Sequence, residues 1–190
     1  MLSGESNVIP AFGPSGVIPP FTGQSAASRA LVSPYAASAT EIVLRFAQSP
    51  ERTEIVRGLL AYRAALADIG IVDGFQWIDG SFVEDCETIR GRPPNDVDVV
   101  TFAHRPHIAS SGEAWAQLAQ TNEPLFVPKA TKASFQCDAY FIDLQKPPHL
   151  LVQDTAYFNG LFSHQRDTAQ WKGMVLIPLR SDDAAARAMI

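Results

Sequence analysis

The clearest periodicity in the chain lies between residues 50 and 70, where Ile55, Leu59, Tyr62, Leu66 and Ile69 recur at spacings of three and four. That spacing places one apolar stripe along a helix, for a sheet to cover. Ser49 reads as its N-cap, Pro50 as its first helical position and Gly70 as its stop. A shorter helix is predicted before it, from about Ala37 to Ala47. The period then falls to two. Phe75 to Asp79 reads as a short strand, ended by Gly80-Ser81 and a polar stretch that runs to Gly91-Arg92-Pro93-Pro94. Asp96 to Phe102 alternates acids with valines and reads as a second strand. A third, from Phe135 to Leu144, alternates Phe135, Cys137, Ala139 and Phe141 against Gln136, Asp138, Tyr140 and Ile142. Helices are expected over Ser111 to Gln120, around Gln153 to Phe162 and in the Ala-rich end, with a last strand from Trp171 to Leu179. No internal repeat is visible. These elements predict an α/β (α+β) domain with a small mixed sheet and helices mainly on one face.

The pattern divides the chain into residues 1–36, an arm, and residues 37–190, a single domain. From Met1 to about Pro34 the sequence is rich in Pro, Gly and Ser, which predicts irregular backbone. The scattered Val8, Ile9, Phe12, Val17, Ile18 and Phe21 argue for an arm laid on a groove or on a second subunit, since a solvated tail gains nothing from them. A homodimer built through this arm is one expectation.

Composition adds exclusions. With 46% apolar residues, 190 residues can bury one sizeable core. A formal net charge of -5 gives no global attraction for nucleic acid, so a polynucleotide partner would need a local basic patch. Runs such as Met174 to Leu179 are too short to cross a bilayer, and Met1 to Pro20 lacks the basic start and apolar centre of a secretory signal, so a cytoplasmic protein is expected. Cys86 and Cys137 have no ligand-spaced partners and read as reduced thiols.

The chemistry gathers around the second strand. In Asp96-Val97-Asp98-Val99, strand geometry sends both carboxylates to one face, with their positions roughly 6.6 Å apart along the strand. Such a pair suits a divalent cation, although a solvated edge strand also carries acids. Upstream, Gly80-Ser81 directly follows an apolar strand, where a missing Cβ lets backbone N–H groups approach a phosphate. Downstream, Asp138 sits among apolar neighbours, so it either faces a polar site or leaves a buried charge unpaired. A third carboxylate beside the pair could join the metal or accept the proton of an attacking hydroxyl.

A strand ending in Gly80-Ser81, then Asp96-Val97-Asp98-Val99 and a later Asp138, resembles the polymerase-β-like nucleotidyltransferase superfamily. Trp77-Ile78-Asp79-Gly80-Ser81-Phe82-Val83, Pro94-Asn95-Asp96-Val97-Asp98-Val99-Val100, and Leu161-Phe162-Ser163-His164 through Trp171-Lys172-Gly173 look more narrowly like an uncharacterised group of small bacterial proteins within it. Together these segments cover about residues 50 to 180. The resemblance implies that Asp96 and Asp98 bind metal, Mg²⁺ or Mn²⁺, that Asp138 is a third catalytic and metal-binding carboxylate, and that Gly80 and Ser81 contact a nucleoside triphosphate. One departure is the long stretch between Ser81 and Asp96, which carries Glu84, Asp85, Glu87, Arg90 and Arg92. The large helical domain with which bigger members grip a polynucleotide or second nucleotide is also not expected from these residues. The acceptor, whether a protein hydroxyl, a tRNA end or a small molecule, is therefore not implied.

Further cations could neutralise triphosphate charge. His164, Arg166 and Lys172 are the candidates for nucleotide or phosphate binding. Lys129 and Lys132 read as a solvated loop, with contact to the nucleotide or an RNA phosphate as the alternative. His104 and His107 flank a proline with no third ligand nearby, which excludes a convincing zinc site, and Trp77, Trp115 and Trp171 read as core packing. The leading expectation is a metal-dependent nucleotidyltransferase that moves a nucleoside monophosphate from a triphosphate to an acceptor. Its rivals are a catalytically silent interaction module of the same fold, antitoxin-like or regulatory, and a metal-dependent nuclease or phosphatase.

Overall fold

The computed structural model describes residues 9–190, so Val8 and the start of the arm lie outside it. Five strands form one mixed sheet. In chain order the elements are β1 (Tyr35–Ala36), α1 (Ala39–Phe46), α2 (Pro50–Asp68), β2 (Gly74–Asp79), α3 (Cys86–Arg90), β3 (Val97–Ala103), α4 (Gly112–Thr121), α5 (Pro128–Phe135), β4 (Cys137–Asp143), α6 (Pro148–Phe162), β5 (Val175–Pro178) and α7 (Asp183–Arg187). The spatial order is β1-β5-β2-β3-β4. Strands β1 and β5 run parallel, β5–β2 and β2–β3 antiparallel, and β3–β4 parallel.

Alternation along the strands gives the sheet two different faces. Ile78, Val97, Val99, Ala139, Val175 and Ile177 point into the larger core, where Ile55, Leu59, Tyr62 and Leu66 of α2 and Ile42 and Phe46 of α1 meet them. Trp77, Val100, Phe102 and Ile142 point the other way, onto Phe158 and Phe162 of α6. The fold is thus α+β with a mixed sheet and most helices on one face. Helix α2 begins as its signals predict, the Ser49 side chain accepting from the Arg52 N–H and Pro50 opening the first turn. Gly58 brings α2 against α5: a Cβ there would stand 2.0 Å from the Phe135 carbonyl oxygen.

Two helices form where polar loops were expected. Helix α3 is nucleated by the Asp85 side chain, which accepts from the Thr88 N–H, and it buries only Cys86. Helix α5 carries Lys129 and Lys132 and buries only Thr131, whose hydroxyl donates to the Pro128 carbonyl and accepts from the Ala139 N–H. Gln136, in the left-handed region at φ 53°, turns α5 into β4, so the strand starts at Cys137 rather than Phe135. Strand β5 starts at Val175 because the residues before it double back, His164 bridging to Trp171. Trp171 departs from core packing: it is 45% exposed, its ring 5.7 Å from that of Phe21.

The arm is bound to its own domain. Ile9, Val17 and Ile18 are buried. The Asp85 N–H donates to the Gly16 carbonyl at 2.8 Å, Val17 bridges to Glu84, and the Gly173 N–H donates to the Ile18 carbonyl at 2.7 Å. Burial of these residues therefore calls for no second subunit. Among the described residues, no helix is long and apolar enough to cross a membrane.

Candidate functional site

Register across three strands assembles the acids. Asp79 at the end of β2 pairs with Asp98 of β3, and Asp98 pairs with Asp138 of β4. Residues directly opposite on neighbouring strands share a face, with Cβ atoms about 4.5–5.5 Å apart. The carboxylates of Asp79, Asp98 and Asp138 thus form a row, on the α6 side of the sheet. Asp96, two residues before Asp98, lies on the same side and pairs with the Lys132 ammonium of α5. The structure therefore sets Asp98 beside Asp138 and adds Asp79, while Asp96, just before β3, is turned to Lys132.

Like charges held at this spacing repel, and the site shows it. Burial, followed by the charges of Asp96 and Asp138, pushes the Asp98 carboxyl up to about 6. Burial pushes the Asp79 carboxyl up to about 7, against the opposing pull of Lys172. A carboxyl raised in the folded state holds a proton that the unfolded chain has already released, so its stabilising share is present at low pH and lost as pH rises through the folded value. For Asp98 that window runs from about pH 4 to about pH 6. Relative to the wild type, Asp98→Asn should gain on the order of 2 kcal/mol of stability between pH 4 and pH 7 without added metal. Urea unfolding at the two pH values checks this, and a constant difference between the proteins would refute it.

Gly80 and Ser81 abut this row. Gly80 has φ 80°, and a Cβ there would lie 2.3 Å from Asp98 Oδ2, so the turn backbone packs directly on that carboxylate. The Ser81 carbonyl accepts from the Glu84 N–H at 3.2 Å and from the Cys86 thiol at 3.1 Å.

Lys172 is not a solvent-facing phosphate ligand. Its side chain is 2% exposed, and Nζ stands 3.1 Å from Asp79 Oδ1 and 3.0 Å from Glu84 Oε1. The same nitrogen donates to the Gly80 carbonyl at 3.1 Å. Glu84 in turn accepts from Arg90 Nη2 and from Gln165 Nε2, each at 2.9 Å. His164 and Arg166 are exposed on the segment between α6 and Trp171. The His164 ring turns back on its own helix end, Nδ1 lying 3.0 Å from Ser163 Oγ and 3.2 Å from the Gly160 carbonyl oxygen. Among the described residues, neither makes a hydrogen bond or ion pair with the carboxylate row.

Sequence reasoning missed Asp79 and Glu84 as parts of this site. The signal for Asp79 was its parity with Phe75 and Trp77, which sets it on the face opposite Ile78. It also missed Tyr140, two residues beyond Asp138, whose phenol is pushed up by burial and then by the Asp138 charge.

The donors are carboxylate oxygens, the chemistry that Mg²⁺ and Mn²⁺ prefer. As arranged, no group of three or more His, Cys, Asp or Glu among the described residues is gathered closely enough to hold a metal. Asp96 is instead engaged by Lys132. Fold and acids together define a small α+β domain with a row of carboxylates beside a glycine turn. The chain belongs to a family of unknown function, DUF6932, whose model matches residues 10–178. No curated protein and no solved structure matches it.

Proposed function

We propose that the chain is a metal-dependent nucleotidyltransferase, transferring a nucleoside monophosphate from a nucleoside triphosphate to an acceptor hydroxyl. The observation that carries this reading is the register of Asp98 with Asp138 beneath a glycine turn that only a residue without a Cβ can form. Asp96, Asp98 and Asp138 would hold Mg²⁺ or Mn²⁺, with Lys132 leaving Asp96 to make room. The ion would supply charge neutralisation for the triphosphate. Asp138, part-exposed at the sheet edge, would take the proton of the acceptor hydroxyl as it attacks the α-phosphorus, pyrophosphate being the leaving group. Gly80 and Ser81 would line the phosphates. The protein's contribution is positioning and fixed charge, which dominate catalysis of such transfers.

A second reading, a silent interaction module of the same fold, draws on the Lys132–Asp96 pair and on the absence of a gathered donor set among the described residues. In that reading Lys132 permanently does the work of the cation.

Calorimetric titration separates the two. Each nucleoside triphosphate is added with and without Mg²⁺ to the wild type and to Asp98→Ala. Binding that requires Mg²⁺ and falls at least tenfold in the variant is the expected result. Absence of binding to well-folded wild type, for every triphosphate, would leave the interaction module as the reading.

A further inference from the structure

We propose that Lys172 and Asp79 form a buried positioning pair that holds the Gly80 turn against Asp98. The inference rests on the nucleotidyltransferase reading for its consequence, but not for its geometry. A lysine 2% exposed is costly to bury, and a buried ion pair is often replaceable by apolar side chains without loss of stability. Neutralising Glu84 does not require Lys172, because Arg90 and Gln165 already contact that carboxylate. What Lys172 supplies is a cation beside Asp79 and a side-chain donor to the Gly80 carbonyl. Asp79 Oδ1 has no aligned hydrogen-bond donor: Lys172 Nζ, 3.1 Å away, meets it as a charge.

The post that carries the ammonium is fixed from both sides. The Lys172 N–H donates to the Ser163 carbonyl at 2.8 Å, and the Gly173 N–H is held by the Ile18 carbonyl of the arm at 2.7 Å. A Cβ on Gly173 would fall 2.6 Å from the Pro19 carbonyl oxygen, so the arm and this segment lie backbone to backbone. From this anchored position Nζ draws in Asp79 and the Gly80 carbonyl, and Gly80 in turn forms the wall on which Asp98 Oδ2 rests. Asp79 and Asp98 are also direct partners in the β2–β3 register. Moving the ammonium therefore moves both the turn and the strand end that set the Asp98 carboxylate. Lys172 acts on the site from beneath the turn without touching the ligand.

The test uses Lys172→Met and the double variant Asp79→Asn/Lys172→Met. The double variant removes both charges, so it keeps the experiment readable if the single one, with its unpaired buried carboxylate, fails to fold. Two readouts are taken on full-length protein: amide hydrogen exchange over residues 80–84, and the affinity and Mn²⁺ spectrum with Mn²⁺ plus ATP. In the double variant, with its melting temperature close to that of the wild type, exchange over 80–84 should rise at least tenfold. Mn²⁺–ATP affinity should fall at least tenfold with an altered spectrum. Unchanged exchange would overturn the positioning pair whether or not ATP binds. If wild type binds no Mn²⁺–ATP, the nucleotidyltransferase reading fails by itself, and faster exchange still supports the pair. Binding and spectrum unchanged beside faster exchange would overturn the link from the turn to Asp98.

Discussion

Under the proposed nucleotidyltransferase reading, Gly80→Ala is expected to weaken Mg²⁺-dependent triphosphate binding at least a hundredfold while leaving a folded protein. Two constraints meet at this position. The backbone sits at φ 80°, where a residue with a Cβ is disfavoured by about 1–2 kcal/mol. The new methyl would also stand 2.3 Å from Asp98 Oδ2 and 2.8 Å from its carboxyl carbon. A contact that short cannot persist, so the turn must retreat or the Asp98 side chain must leave its rotamer. Asp98 is a short side chain on a strand braced on both sides, by β2 and by β4, so either outcome separates the turn from the carboxylate row. The expected fall in affinity is at least a hundredfold, about 2.7 kcal/mol, because the geometry of turn and acid is lost together. The loss of folding stability should be about 2 kcal/mol, since the turn is at the site's edge and the two cores are untouched. Titration calorimetry and urea unfolding on the same preparation check both numbers. An alanine variant that binds Mg²⁺–triphosphate as wild type does would show that Gly80 is not part of the binding surface.

How much of this was legible varies with the kind of information each feature needs. Helix α2 could be read because its stripe, its Ser49 cap and its Gly70 stop are all local. The Asp96-Val97-Asp98-Val99 strand was legible for the same reason, and its pairing with Asp138 was anticipated from the burial problem that Asp138 would otherwise pose. Helix α5 was not legible: Pro128, Lys129, Ala130, Thr131 and Lys132 carry no apolar stripe, and the helix is held by one buried threonine, by Phe135 against Tyr62 and by the close approach at Gly58. With α5 hidden, the Lys132–Asp96 pair was hidden too. Lys172 is legible as a cation, but its buried surroundings are not. Its neighbour Trp171 is exposed and Gly173 is packed on the arm, so nothing in the local sequence shows which way Nζ points. The cluster it joins depends on residues 79, 84 and 165, which only the folded chain brings together.

The same loop is braced from the opposite side by Arg52, and replacing it with methionine should be the most destabilising single change outside the cores. Arg52 lies in the first turn of α2 and is 4% exposed. Its Nη1 donates to the Phe82 carbonyl at 2.7 Å and its Nη2 to the Glu84 carbonyl at 2.6 Å. A fork onto Glu87 completes the set, Nε at 2.7 Å and Nη2 at 3.0 Å from the two carboxylate oxygens. Methionine fills much of the volume but donates nothing. Two loop carbonyls then lose their donors at about 1–3 kcal/mol each, and the bidentate pair is lost with them. A total of about 3–5 kcal/mol is expected, a large part of the roughly 5–15 kcal/mol that holds a typical domain together. The hydrogen bonds from Arg52, chief among the influences on Glu87, hold that carboxyl below its usual range. That share of stability is present above the unfolded carboxyl value and disappears as pH falls through the folded one, so the gap between wild type and variant should narrow in acid. Arg57→Met on the same helix is the control. Its partner Glu54 and its own side chain are exposed, and the change should stay within about 0.5 kcal/mol. Urea unfolding of both variants at pH 7 and pH 4 decides the matter. A loss below about 1 kcal/mol for Arg52→Met would mean that the loop after Gly80 is held by Lys172 and the arm alone, and that α2 contributes a neighbouring surface rather than a brace.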